Sequence, residues 1–187
     1  MAKITIDPSA AFLYPMPMVL VGAVVEGKAN FMAAGWVSRV NFKPPLFAIA
    51  LGPHHTSKGI DDNREFSINV PDVSLLAQTD YCGMVSGGKT DKSELFEVFY
   101  GVLDKAPLIQ ECPVCMSFSV YEAVKLPFDM LYIGELKEVF TEEKYLTDNV
   151  VDIKKVNPFT LSMPDNTYWS VGEKLGKAWD IGKQLKK

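Results

Sequence analysis

The amino-acid sequence predicts a mainly β protein, an antiparallel β-barrel with short helices packed at its ends. Many short runs rich in Val, Ile and Phe are separated by Gly- and Pro-containing turns, a pattern typical of all-β domains. The sequence lacks the alternation of strands with long helices that a doubly wound α/β fold requires. With 187 residues, 48% of them apolar, the chain can bury a sizeable core. We predict one domain over residues 1–187, with a C-terminal tail from about residue 152.

The strands of the first half follow from hydrophobic pattern and turn residues. Residues 18–25 are β-rich and lead through a Glu-Gly-Lys turn into residues 30–34, which predicts a hairpin. Residues 46–51 are apolar throughout, as in a strand buried on both faces. Apolar and polar residues alternate over 66–70, which is typical of a half-buried strand.

Short helices are predicted between these strands. Thr56 or a neighbour should cap the first, which runs to about residue 63, because a hydroxyl can accept from the N–H groups of a first turn. Asp72 should cap the second. Asp91, with Glu94 three residues later, resembles a capping pair for a third.

The second half predicts a long strand pair and a tail. Residues 115–124 and 129–140 carry Phe, Tyr and Val at intervals of two, which predicts an antiparallel pair joined at residues 126–128. The tail contains an irregular stretch around its two prolines. Residues 172–187 have the apolar spacing of an amphipathic helix.

Charge and hydropathy exclude several classes of protein. The net charge of −4 and the pI near 5.2 argue against a nucleic-acid-binding protein, which usually carries a basic excess. No apolar run reaches the roughly 18 residues that span a bilayer. The N-terminus lacks the basic start and apolar core of a secretory signal. We therefore expect a cytoplasmic protein with no membrane and no nucleic-acid partner.

The three cysteines are Cys82, Cys112 and Cys115, of which the last two form a C-x-x-C. This pair opens a strand-like run rather than a helix N-terminus that would lower a thiol pKa. A zinc site needs two further ligands at suitable spacing, and only Cys82 and two adjacent histidines remain. We interpret the cysteines as structural thiols and predict no metal site.

Residues 30–57 carry the functional prediction. Small residues at positions 33–35 let a ligand approach the main chain, and Trp36 can form a flat wall for a ring. Main-chain N–H groups of residues 33–37 can face the pyrimidine edge of a flavin, where donors raise its reduction potential. Trp36 has a structural alternative as a core residue.

A phosphate needs N–H groups at a helix start, hydroxyls and a cation. Two predicted helix starts and a polar elbow supply candidates, namely Ser38, Arg39, Asn41, His55, Thr56, Ser57 and Lys92. The elbow residues have an alternative as turn residues before Pro44, Lys92 as a solvated charge, and the histidines as a surface loop. Neither histidine has an evident Ser, Cys or carboxylate partner, so we predict no hydrolytic triad and no catalytic side chain. The pattern predicts a site for flavin mononucleotide (FMN).

Motifs in a fixed order carry a family resemblance. The chain contains N-F-M-A-A-G-W-V-S-x-V-N-F-x-P-P, then H-x-T-S-x-x-I, F-S-I-N-V and S-G-x-x-x-D-K, and near its end Y-W-x-x-G-E-K-L-G-K-A-W-x-x-G-K. This order resembles the flavin reductase-like family, and in particular its flavoredoxin branch, over about residues 18–183. The resemblance implies FMN bound in a Greek-key antiparallel split β-barrel, near the interface of a homodimer.

The resemblance also implies which residues bind the cofactor. The ring should lie against residues 33–36, the phosphate and ribityl chain near the donors, and two tail aromatics at the site or the dimer interface. The full predicted set is Ala33, Ala34, Gly35, Trp36, Val37, Ser38, Arg39, Asn41, His55, Thr56, Ser57, Lys92, Tyr168 and Trp169. Two positions depart from the family pattern: Lys43 replaces a common Asp, and Ser93 a common aromatic residue.

Two redox functions fit this site. The first is an NAD(P)H-dependent flavin oxidoreductase, in which NADH or NADPH reduces FMN and the electrons pass to an acceptor. The second is a flavoredoxin-type electron carrier that serves a redox protein partner without its own dehydrogenase activity. A third interpretation is a barrel that binds another phosphate-bearing ligand, such as pyridoxal phosphate.

Overall fold

One antiparallel sheet of seven strands dominates residues 2–185, the part of the chain that the computed structural model describes. The strands are β1 (Met16–Pro17), β2 (Val19–Val25), β3 (Lys28–Ala34), β4 (Val37–Asn41), β5 (Leu46–Leu51), β6 (Glu65–Val70), β7 (Val98–Phe99), β8 (Leu108–Ile109), β9 (Val114–Lys125), β10 (Met130–Thr141), β11 (Leu146–Thr147), β12 (Val150–Val151), β13 (Phe159–Ser162) and β14 (Thr167–Ser170). The helices are α1 (His55–Asn63), α2 (Leu76–Met84) and α3 (Ile153–Val156), with 3-10 turns at Pro8–Ala10, Val73–Leu75, Ser93–Leu95, Glu143–Tyr145 and Ile181–Leu185.

The large sheet has the order β3-β2-β6-β9-β10-β5-β4. Its two end strands, β3 and β4, follow each other in the chain and are linked by Gly35 and Trp36. The carbonyl of Trp36 accepts a 3.0 Å hydrogen bond from the Ala50 N–H, which ties this link to β5. The predicted mainly β class is confirmed, as are the β2–β3 hairpin and the long β9–β10 pair.

A hydrophobic core fills the inside of the curled sheet. It brings together residues from β2, β3, β5, β6, β9 and β10, among them the fully buried Val21, Phe66, Phe118 and Tyr132. The rings of Phe66 and Phe118 stack with centroids 5.0 Å apart. Gly134 lets this stack approach β10, because a Cβ there would overlap the Phe66 ring and lie 2.9 Å from the Phe118 Cβ.

A second cluster covers the other face of β2. Leu20 and Phe31 pack there against Leu75, Cys82 and residues near β8. Both faces of β2 are therefore covered, which explains why all seven of its residues are buried.

The helices begin close to the predicted positions. Helix α1 starts at His55, so Thr56 lies in its first turn and His54 is the N-cap. The Asp72 carboxylate accepts from the Ser74 N–H at 2.9 Å and caps the turn that leads into α2. The Asp91 carboxylate accepts from the Ser93 N–H at 3.1 Å.

The tail differs from its prediction. Strands β13 and β14 pair with each other, and β13 also pairs with β1, so both ends of the chain meet in one small sheet. The predicted amphipathic helix over 172–187 is wrong for residues 172–185, which are irregular up to the 3-10 turn Ile181–Leu185. Residues 186–187 lie outside the described part. The tail helix fails because almost all of its residues are exposed, and an amphipathic helix needs a packed apolar face to be stable.

Across residues 2–185, none of the helices is both long and apolar enough to cross a membrane. The extent of the domain, residues 1–187 with a tail from about 152, stays a prediction.

Candidate functional site

A groove runs along β3, an edge strand of the large sheet. It consists of three adjoining cavities of about 320, 370 and 300 Å³. Neighbouring cavities share lining residues: His55, Gly87 and Lys92 join the first to the second, and Met32, Ala33 and His54 join the second to the third. The N-terminus of α1 and the C-terminus of α2 both border the second cavity, so β3 lies between two helix ends of opposite polarity.

The first turn of α1 provides donors to the second cavity. The first N–H groups of a helix have no partner inside it, and the His54 side chain makes no capping hydrogen bond. Thr56 is buried, and its hydroxyl accepts a 2.6 Å hydrogen bond from Asn30 Nδ2. Because a hydroxyl can accept and donate at once, the Thr56 proton can be donated to a ligand.

Lys92 adds a buried cation on the opposite wall. It is only 3% exposed, so its interpretation as a solvated charge is wrong. Its Nζ donates to the carbonyls of Cys82 and Val85, both at 3.2 Å, at the C-terminal end of α2. Burial lowers the pKa of the ammonium. An ammonium has three donors, so a third remains for a ligand in the cavity.

The loop between α2 and Lys92 closes against β3. Gly87 approaches so closely that a Cβ there would overlap the side-chain amide of Asn30 and lie 2.9 Å from the ring of His55. A larger residue at this position would therefore push the loop off the groove. The Asn30 side chain holds Thr56 on one side and supports Gly87 on the other.

The other end of the groove is mainly apolar. Ala33, Ala34, Gly35 and Trp36 face the third cavity together with the turn that contains Phe128. Trp36 is 50% exposed, so its interpretation as a core residue is wrong and its ring is open to stacking. The small side chains at 33–35 leave the main chain accessible, as the sequence predicts. A planar apolar group fits this end.

The residues of the predicted polar elbow lie apart from the groove. The Arg39 guanidinium donates to the carbonyls of Asn41 and Phe42 at 3.2 and 3.1 Å, and the Asn41 amide donates to Pro44 O at 2.8 Å. Both side chains therefore hold their own turn, and neither lines the three cavities. The prediction that they help to hold a phosphate in this groove is not supported by their position.

Three further predicted residues have other contacts. The Ser57 hydroxyl donates to Gly52 O at 2.8 Å and fixes the turn before α1. Val37 and Ser38 line a fourth cavity of about 630 Å³, which adjoins the third at Gly35 and Trp36. They therefore lie beyond the apolar end rather than at the donor end.

The tail aromatics brace the tail instead of lining the groove. The Tyr168 hydroxyl donates to the Asp80 carboxylate on α2 at 2.8 Å, and burial together with this carboxylate raises the pKa of Tyr168 to about 12. Trp169 is exposed, and its Nε1 donates to Ser162 Oγ at 2.8 Å. The tail reaches the apolar end through two other residues, Leu161 and Met163.

Several lining residues were absent from the predicted set. Among them are Met16, Asn30, Met32, Gly52, His54, Met84, Ser86, Gly87, Phe128, Asp129, Leu161 and Met163. The motif S-G-x-x-x-D-K contained a usable signal for Ser86 and Gly87, because glycine-rich turns expose N–H groups to anions. The tail residues gave no local signal, since only the fold brings them to β3.

The comparison with known proteins shows to which family this chain belongs. The flavin reductase like domain matches residues 11–156, well over half of the chain. The chain belongs to the flavin reductase-like family. Within this family it is similar over 99% of its length to the flavoredoxin from Methanosarcina acetivorans, with 48% identity, complete coverage of that chain and a TM-score of 0.96.

The flavoredoxin of Desulfovibrio vulgaris (Miyazaki F) is 30% identical, with 97% of this chain and all of that chain covered and a TM-score of 0.89. The predicted flavoredoxin branch is thereby confirmed. An FMN-binding protein from Thermus thermophilus shares the fold at 21% identity, a TM-score of 0.77 and coverage of 95% and 97% of the two chains. The FMN-binding split-barrel class predicted for the fold is confirmed by these flavin reductase-like neighbours. A relative from Aeropyrum pernix is 28% identical, and the match covers 78% of this chain but only 57% of that protein.

The C-x-x-C lies away from the groove and is buried. Cys112 and Cys115 line a separate cavity of about 180 Å³, and the Cys115 thiol donates to Ile109 O at 3.1 Å. Burial raises the pKa of Cys82 to about 11 and of Cys115 to about 12, and also raises that of Cys112. Among the described residues, no group of three or more His, Cys, Asp or Glu side chains is placed to hold a metal ion. The interpretation of these residues as structural thiols fits this burial.

We expect the three thiols to react slowly in the folded protein. A thiol with a pKa of about 11 is less than ~1% thiolate at pH 8, and the thiolate is the nucleophile. Titration with an aromatic disulfide reagent at pH 8 should therefore label the native protein at least ~100-fold more slowly than the guanidinium-unfolded protein. The unfolded chain should release three equivalents of the coloured thiolate. Rapid labelling of the native protein would contradict the structural role.

Proposed function

We propose that the groove along β3 binds FMN, with the ring at the apolar end and the phosphate at the donor end. The observation that supports this proposal is that the two ends of the groove differ in chemistry. One end is apolar, and the other presents hydrogen-bond donors and a cation. Seven residues of β3 extend over about 20 Å, which suits a long ligand with a flat apolar head and an anionic tail. A compact ligand such as pyridoxal phosphate would leave one end of this groove unfilled.

The donor end suits a phosphate because several kinds of donor converge there. The N–H groups of the first turn of α1 and the positive end of its dipole favour an anion. The Thr56 hydroxyl and the Lys92 ammonium add a neutral and a charged hydrogen bond from buried positions. Ala33 and Gly35 leave the main chain bare against the ring, and Trp36 and Phe128 line the same cavity beside it.

We propose that the protein is an oxidoreductase of the NAD(P)H-dependent flavin reductase type. Bound FMN would supply the hydride- and electron-accepting chemistry, while the side chains orient it and shield it from water. The fourth cavity supports this proposal, because it adjoins the ring end and can admit a second planar group beside Trp36. The alternative is an electron carrier, which the similarity to two flavoredoxins supports equally well.

Thr56→Val should weaken FMN binding more than riboflavin binding, because riboflavin lacks the phosphate. Loss of a hydrogen bond to a charged group costs about 1.5–3 kcal/mol, so the Kd for FMN should rise roughly tenfold or more. Fluorescence titration of apoprotein with each flavin measures the effect.

Retained riboflavin affinity shows that the variant is folded, and Thr5→Val, at an exposed position near the N-terminus, is the matched control. If the affinities for both flavins fell equally, the phosphate would not bind at Thr56. A wild-type protein that takes up neither flavin would overturn the FMN proposal itself.

Anaerobic addition of NADH or NADPH should bleach the visible absorbance of the FMN-loaded protein within seconds if it is a reductase. Hydride transfer to a well-positioned ring is fast because binding holds donor and acceptor together. Stopped-flow spectra at the flavin maximum give the rate for each nicotinamide. Dithionite is the control for a reducible flavin. If dithionite bleaches the protein and neither nicotinamide does, the electron-carrier function replaces the reductase function.

We propose that the protein is a homodimer. Leu175 and Trp179 in the tail are more than nine-tenths exposed, and Leu13 near the N-terminus is 90% exposed. Large exposed apolar patches mark protein–protein interaction sites. Sedimentation equilibrium should give twice the chain mass of 20.8 kDa, and L175E with W179E should weaken the dimer while K177E does not. A monomer at micromolar concentration would contradict this proposal.

We also propose that the protein works in the cytoplasm, where thiols stay reduced. The three free cysteines are buried and are not paired with each other, which suits a reducing compartment. Recovery of the protein from an extracytoplasmic fraction would contradict this location.

A further inference from the structure

The His54 side chain does not cap helix α1, although the residue stands at the capping position. It is the N-cap of α1, where Ser, Thr, Asp and Asn are preferred because their short side chains accept from the first N–H groups. The His54 side chain makes no such bond. Its imidazole is instead turned back over Gly52, where a Cβ on that glycine would lie 3.2 Å from Nε2.

This orientation brings the imidazole to the middle of the groove. His54 lines both the second and the third cavity, so it stands where the donor end passes into the apolar end. The same point above Gly52 lies 3.5 Å from Asp129 Oδ1 and 3.5 Å from the Phe128 ring. The turn between β9 and β10 thus contributes one carboxylate and one aromatic ring to the same end of the groove.

The charged groups around His54 are few. Asp129 approaches from the β9–β10 turn, and it is the one charged carboxylate among the residues that line the third cavity. His55 lies next to it on α1, and Lys92 and the Cys82 thiol line the second cavity from the α2 side. Apart from His54 and Asp129, the residues lining the ring end have no titratable side chain.

We propose that His54 is the titratable cation that couples the charge of the bound flavin to pH. This inference rests on the proposed binding of FMN in the groove. Two-electron reduction by a nicotinamide or a redox protein leaves negative charge on the ring system, and a neighbouring cation stabilises that form. Histidine is the side chain whose ordinary change of charge falls between pH 5 and 8.

The coupling is reciprocal. If the protonated imidazole favours the reduced cofactor, then reduction must favour protonation of the imidazole by the same factor. Each electron pair that enters the site therefore draws part of a proton onto His54, and each pair that leaves releases it.

The test measures the midpoint potential of the FMN-loaded protein by spectroelectrochemistry between about pH 5.5 and about pH 8.5. In the wild type, the potential should fall more steeply where the imidazole loses its proton than on either side. His54→Asn should abolish this inflection and, at the acid end, lower the ratio of reduced-to-oxidised FMN affinity roughly tenfold, which is about 30 mV for a two-electron couple.

Two further variants separate a permanent charge, and the neighbouring histidine, from the role proposed for His54. His54→Lys should keep the potential high over the whole range without an inflection, because its charge is permanent there. His55→Asn should weaken FMN binding but retain the inflection, and since the chain has two histidines, it leaves His54 as the only imidazole.

An inflection that persists in His54→Asn, or that disappears in His55→Asn, would overturn the proposal. Each variant is first titrated with FMN, so that loss of binding is seen separately from loss of the pH effect. If the wild-type protein binds no FMN, the proposed function fails. If it binds FMN and the potential of His54→Asn follows that of the wild type at every pH, only this inference fails.

Discussion

The connection of β3 to β4 is the constraint on which the rest of the structure depends. The two ends of the seven-stranded sheet are consecutive in the chain, and the link between them is only Gly35 and Trp36. The chain pairs first with β2 and then crosses to pair with β5. The barrel therefore stays open beside β3, and a strand edge there is available to a ligand instead of to another strand.

Long-range contacts turn this open edge into a specific groove. Asn30 on β3 holds the Thr56 hydroxyl of α1, and its amide is also the surface on which Gly87 rests. Lys92 is fixed by the carbonyls at the end of α2. One buried amide and one buried ammonium thus connect β3, both helix ends and the loop after α2. The polar groups are oriented before a ligand arrives, which reduces the entropic cost of binding.

The sequence predicts the parts of this structure that depend on local pattern. Alternation and apolar runs predict the β2–β3 and β9–β10 pairs, and the small residues at 33–35 predict the bare main chain. The elbow residues Arg39 and Asn41 instead donate to carbonyls of their own turn, because the sequence alone does not show which acceptor a donor will find. His54 is not in the predicted set because its place in the groove depends on its rotamer and on contacts with elements distant in the chain. The tail helix fails since exposed apolar spacing does not by itself supply a packing partner.

The tail also has a consequence for how such proteins diverge. Leu161 and Met163 touch the ring end of the groove, yet they lie beyond residue 156, where the match to the family domain stops. The matched domain and part of the wall of the apolar end thus lie in separate segments of the chain. Changes in a few residues after residue 156 can therefore reshape the apolar end of the groove without altering the barrel or the donor end.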